Sequence, residues 1–160
     1  MVENWWVFAV GVGILAVFFA VIAIALMPIW QKQRAEALLA RGRESFHRRR
    51  EWLEARFLTL AEQSGKPRGL RWSNCEFDDD VAFARDRKSG CPRALVAVTI
   101  AFEAIPGGGM EDVEAVGNLR AATVVFRLDG PEWEADRKAC FNLSPAQTID
   151  YYHNEMETVD

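Results

Sequence analysis

The chain has 160 residues, half of them hydrophobic, with 23 acidic and 19 basic side chains and a formal net charge of −4. An acidic balance argues against nucleic-acid binding, which needs a basic footprint. Cys75, Cys91 and Cys140 are odd in number and form no C-x-x-C pair, which argues against a disulfide framework and suits a reducing compartment.

Residues 5–28, WWVFAVGVGILAVFFAVIAIALMP, form an apolar run without a charged side chain. About 20 such residues, at about 1.5 Å rise each, cross a hydrocarbon core of about 30 Å, so the run predicts a transmembrane helix. Trp5, Trp6 and Trp30 suit the two interfaces, where an indole keeps its ring apolar and its N–H wet. Ala23-Ile24-Ala25 resembles a signal-peptidase site, but the run is too long for a signal core and carries no basic residue before it. Ala9, Gly13, Ala16, Ala20 and Ala23 share one face, a seam that permits close backbone approach by a second helix.

Basic residues gather after the run, at Lys32, Arg34, Arg41, Arg43 and Arg48-Arg49-Arg50. Lysine and arginine near a span stay on the cytoplasmic side, which predicts an outside N-terminus and a cytoplasmic remainder. This collar also offers charge to anionic lipid headgroups. Leu39, Phe46, Leu53 and Leu60, with Leu38, Trp52 and Phe57 beside them, mark a helix over about 29–63. Ser64-Gly65-Lys66-Pro67 supplies its stop. The stripe is expected to dock on the head domain in preference to pairing as a coiled coil, because Gly42, Arg49 and Arg56 occupy the companion heptad positions.

Past Pro67 the pattern alternates, which predicts strands. Candidates are 69–77 and 81–87, separated by the turn-prone Asp78-Asp79-Asp80, then 94–105, 118–128 and Trp133 to Phe141. Ser144-Pro145 opens a last helix expected over 145–157. The fold class is α+β: a transmembrane helix, an amphipathic juxtamembrane helix, then about five antiparallel strands and a C-terminal helix. The expected divisions are 1–28 for the N-terminal segment and anchor, 29–64 for the basic helix and 66–160 for the cytoplasmic head.

The loop PGGGMEDVEAVG, residues 106–117, is the head's most distinctive segment. Its glycines suit an anion cradle or a close main-chain approach, yet it matches no phosphate-binding motif, and Glu111, Asp112 and Glu114 oppose a phosphate. Gly107, Gly108, Gly109, Met110 and Val113 therefore read as an interaction loop. Glu103, at the end of the hydrophobic strand beside it, is the one carboxylate singled out, either with Glu111 as an acid-base pair or as a rim charge paired with an arginine such as Arg120.

Cys75, Cys91, Cys140 and His153 offer zinc-binding atoms without zinc-module spacing, so the cysteines read as core residues. The acidic triplet lacks a calcium loop's spaced donors and reads as a solvated turn. No catalytic, metal or cofactor site is expected, and the reading favours a protein that is not an enzyme.

The stretches LVAVTIAFEAIPGGGMEDVEAVGNLRAATVVF and KPRGLRWSNCEF resemble uncharacterised small single-pass membrane-anchored bacterial proteins of planctomycete type. The resemblance covers about residues 66–152, carries no functional residue over, and implies a bacterial inner-membrane setting. The resulting expectation is an anchored accessory or interaction protein whose contacts are membrane lipid and a protein partner, or a second copy met through the span or the head, with no nucleic acid. The alternative is a ligand-binding or enzymatic domain with a pocket near Glu103 and the glycine loop.

Overall fold

The computed structural model describes residues 5–63 and 69–159; the side chains of 5–10, 31, 137 and 138 lie outside the described residues. So do the expected helix stop at 64–67, the indoles of Trp5 and Trp6, and the Ala9 methyl of the small-residue seam. Two compact units divide the chain, Met1–Ala37 and Leu38–Asp160.

One helix, α1 (Trp5–Gln63), runs through the boundary expected at residue 28. Pro28 lies inside it; the missing N–H costs the bond to the Ile24 carbonyl, but helix geometry resumes at once. In the first unit, α1 is long and apolar enough to cross a membrane. From Gly11 to Trp30 its side chains are exposed, Val12 and Ile24 at 70%. Gly13, Ala16, Ala20 and Ala23 of the seam are among them.

In the second unit α1 turns an apolar stripe onto an antiparallel sheet. The strands are β1 (Leu70–Asp86), β2 (Pro92–Ala104), β3 (Arg120–Asp129), β4 (Glu132–Phe141) and β5 (Met156–Thr158), in the order β4-β3-β2-β1-β5. Leu39, Phe46, Leu53, Phe57 and Ala61 are buried on the helix side, and Val96, Val98, Ile100, Val124 and Phe126 on the sheet side. Leu60 is only half-buried at the stripe's end. A straight helix drifts about 20° per heptad against a seven-residue repeat, so by the third repeat Phe57 and Ala61 face the sheet in its place. The same geometry leaves Trp52 60% exposed and Leu38 at the surface.

Aromatic packing fixes the helix on the sheet. The Phe46 ring lies 5.0 Å from Trp133, 5.3 Å from Phe126 and 5.9 Å from Phe83, centre to centre. The Trp133 indole N–H is shared between the Gly42 carbonyl at 3.2 Å and the Ser45 hydroxyl at 3.0 Å. Gly42 makes the approach close: a Cβ there would sit 3.4 Å from Pro92 and 3.5 Å from Trp133.

The Asp78-Asp79-Asp80 triplet does not break the chain into separate strands as expected. β1 passes through it, and the pairing with β2 shifts between Phe77 and Val81. Such a bulge pushes carbonyls off the ladder, and the Arg50 guanidinium donates to those of Asp78 and Asp79, the latter at 2.6 Å, while Glu54 holds it at 2.7 Å. The turn signal is thus absorbed within a strand.

The C-terminal helix is also shorter than expected. Ser144 and Gln147 form a reciprocal capping box with Pro145 in the first turn, but α2 (Pro145–Tyr151) ends seven residues on. Residues 156–158 pair with β1 as the fifth strand, burying Met156 with Leu95, Ile149 and Ala84. Burial of Met156 and the Arg87 N–H to Glu155 carbonyl bond of 2.8 Å outweigh continued helix.

Candidate functional site

The turn after β2 is built on two glycine backbones in contact. A Cβ on Gly69, at φ +79°, would lie 2.5 Å from the Gly108 carbonyl oxygen, and one on Gly108 would lie 2.6 Å from the Gly69 Cα. The Ile105 N–H donates to the Gly69 carbonyl and the Gly108 N–H to that of Ile105, each at 2.8 Å. Glu111 completes the turn: its carboxylate accepts the Gly107 N–H. Bonds from its own N–H and from that of Gly107, in that order, hold the carboxyl below the ordinary glutamate range. The N–H groups a phosphate would need therefore serve the loop's own anion.

Beyond the turn the chain folds back through a 3-10 turn, Glu114–Gly117, with the Val116 N–H bonded to the Val113 carbonyl at 3.0 Å. It encloses a cleft of about 420 Å³ lined by Leu70, Phe102, Met110, Val113, Val116 and Arg120. Phe141 closes another wall and remains 43% exposed, Val113 41%. Arg120 is the charged side chain in this apolar lining, its guanidinium 3.5 Å from the Ala115 carbonyl.

Met110 and Val113 are thus brought together, while Gly107 and Gly109 shape the turn with positive φ and Gly108 fits against Gly69. Glu103 stands apart. Strand register sets it opposite Arg71, which it binds at 2.7 and 3.0 Å. Glu103 is thus a rim charge paired with an arginine, but with Arg71 and not Arg120, because Arg120 pairs with Ile100 and shares the face of Phe102, from which Glu103 alternates away. The Glu103 and Glu111 pairing fails, since each carboxylate is committed elsewhere.

Leu70, Phe102 and Phe141 were not expected at a site, and Arg120 was named only as a partner for Glu103. Leu70 and Arg120 begin strands, Phe141 ends one and Phe102 lies two residues from the end of β2, where alternation stops reporting what lies beyond, and only the return of the loop over them makes a cleft.

A second groove of about 650 Å³ near the start of α2 is lined by Glu76, Ala97, Thr99, Ala121 and Gln147 among others. The cysteines are unpaired; burial first, then the charge of Glu62, pushes the Cys75 thiol up to about 11. Among the described residues no group of His, Cys, Asp and Glu is placed to hold a metal ion.

These features define an α+β domain carried on an N-terminal helix long and apolar enough to cross a membrane. No protein-family model, curated protein or solved structure matches the chain.

Proposed function

We propose that this is a single-pass protein of a bacterial inner membrane, with its N-terminus outside and a cytoplasmic head that binds a protein partner as an accessory or assembly subunit. The carrying observation is the run from Gly11 to Trp30, whose apolar side chains are exposed and which contains no charged residue. Leaving that surface in water opposes the hydrophobic effect; lipid removes the cost. Basic residues on one flank support the orientation. Gly13, Ala16, Ala20 and Ala23 offer the span a face for a second copy.

The partner-binding surface is the glycine loop with its cleft, where Met110, Val113 and Phe141 present apolar groups on a turn braced by Glu111. Gentle extraction of the full chain from its membrane, with mass spectrometry of the intact assembly, tests this. Stoichiometric foreign subunits, lost when Gly107 and Gly109, which have open space around the missing Cβ, carry bulky residues in a head that stays folded, are the expected result. A lone protomer, or capture indifferent to the loop, contradicts it.

The cleft volume of about 420 Å³ supports a second reading, binding of a small apolar ligand. A small molecule retained without foreign subunits favours it. Glu103 gives this reading no acid or base in the cleft, being bound to Arg71.

A further inference from the structure

The basic collar divides into two sets of arginines with different occupations. Arg43, Arg49 and Arg50 serve the head: Arg43 donates to the Val159 carbonyl at 2.9 Å and covers the Phe83 ring, Arg49 meets Glu132 at 3.5 Å, and Arg50 satisfies the β1 bulge. Arg41, Arg48 and Arg56 do none of this. They follow one another with Trp52 at steps of seven, four and four, within about 80° of arc on α1. That ridge is centred about 120° around α1 from the Phe46-Leu53-Phe57 stripe, and all four side chains are exposed. Among the described residues Arg41 and Arg56 make no ion pair, and Arg48 only a solvent-exposed one with Glu44 at 3.6 Å.

An indole 60% exposed among three arginines has the composition of a binding hot spot, in which Trp and Arg are enriched. The charge calls for an acidic occupant, and the flanks restrict its width. Glu44 and Glu51 on one side and Glu132 on the other bracket the ridge with negative charge. A broad anionic surface, whether bilayer or duplex, meets those carboxylates as well as the arginines. A single acidic helix, about 10 Å across and lying along the ridge, meets the arginines and fewer of those carboxylates. We infer that the Arg41-Arg48-Trp52-Arg56 ridge of α1 is a docking site for an acidic amphipathic segment of a protein partner, its carboxylates on the arginines and an apolar side chain on Trp52. This surface is separate from the glycine-loop cleft, and its test stands or falls independently.

The test uses the full chain in phosphatidylcholine nanodiscs at about 0.15 M salt, where exposed charges are screened beyond about 8 Å. The probes are a rhodamine-labelled helical peptide with Glu at seven-residue spacing and Leu between, the same peptide scrambled, single-stranded DNA, and phosphatidylglycerol vesicles. The ordered peptide is expected to bind best, with at least about tenfold weakening in Trp52→Ala and again in Arg48→Glu. Both side chains are exposed, so unfolding temperatures of the variants are expected to match the parent. Equal binding of the scrambled peptide, indifference to both substitutions, or tighter binding of DNA or vesicles through the same residues overturns the proposal.

Discussion

Gly69 and Gly108 differ from the neighbouring loop glycines in what surrounds them, and this separates their tolerance to substitution. Gly107 and Gly109 have positive φ but open space around the missing Cβ. Alanine at either costs about 1 kcal/mol of backbone strain. Alanine at Gly69 or Gly108 drives a methyl into the other's main chain, and a loss of about 2–4 kcal/mol is expected. Thermal unfolding of the four variants in nanodiscs checks the ranking; equal losses contradict the backbone contact. Glu111 makes a pH prediction with a definite sign. Its folded carboxyl is held low, so its contribution to the loop is present above the ordinary glutamate range and is lost as pH falls through the depressed value. Hydrogen exchange of the Gly107 amide is expected to speed up in Glu111→Gln at neutral pH, with the difference vanishing in acid. Cys75, pushed up to about 11, is expected to resist alkylation at pH 8 in the folded chain and to react fully in urea, as read by mass spectrometry.

At the scale of elements, the amphipathic half of α1 depends on Phe46, which touches Phe83, Phe126 and Trp133 and has no exposed surface. Phe46→Ala is expected to cost about 3–5 kcal/mol, whereas Trp52→Ala, on the outer face, stays within about 0.5 kcal/mol. A similar loss in both contradicts the placement of the stripe. The seven-residue spacing of Leu39, Phe46 and Leu53 made this helix legible, because burial on one face is what periodicity records. The triplet at 78–80 was legible as a turn and is a bulge, since local composition reports the bend and not the Arg50 that satisfies its carbonyls. The last strand was hidden inside an expected helix, because pairing of Met156 to Thr158 with the β1 edge is non-local. The cleft was half legible: Met110 and Val113 stood out in a glycine loop, but Phe102, Arg120 and Phe141 join them only through the fold.

At the scale of the whole chain, composition separates an uncharged apolar run from a folded remainder with an acidic majority, and the proposed function rests on that separation. An arginine at Val17, near the centre of the run, is expected to oppose insertion by about 2.5–3.5 kcal/mol and to reduce the membrane-integrated fraction in alkaline extraction. The proposed orientation rests on positive charge on one flank only. It is tested most directly by labelling with a membrane-impermeant maleimide in intact and permeabilised cells, comparing Asn4→Cys with the native Cys91 in alkali-resistant membranes. Labelling is expected at position 4 in intact cells and at Cys91 only after permeabilisation; labelling of Cys91 in intact cells, or release of the chain by alkali, contradicts the proposed anchoring and orientation.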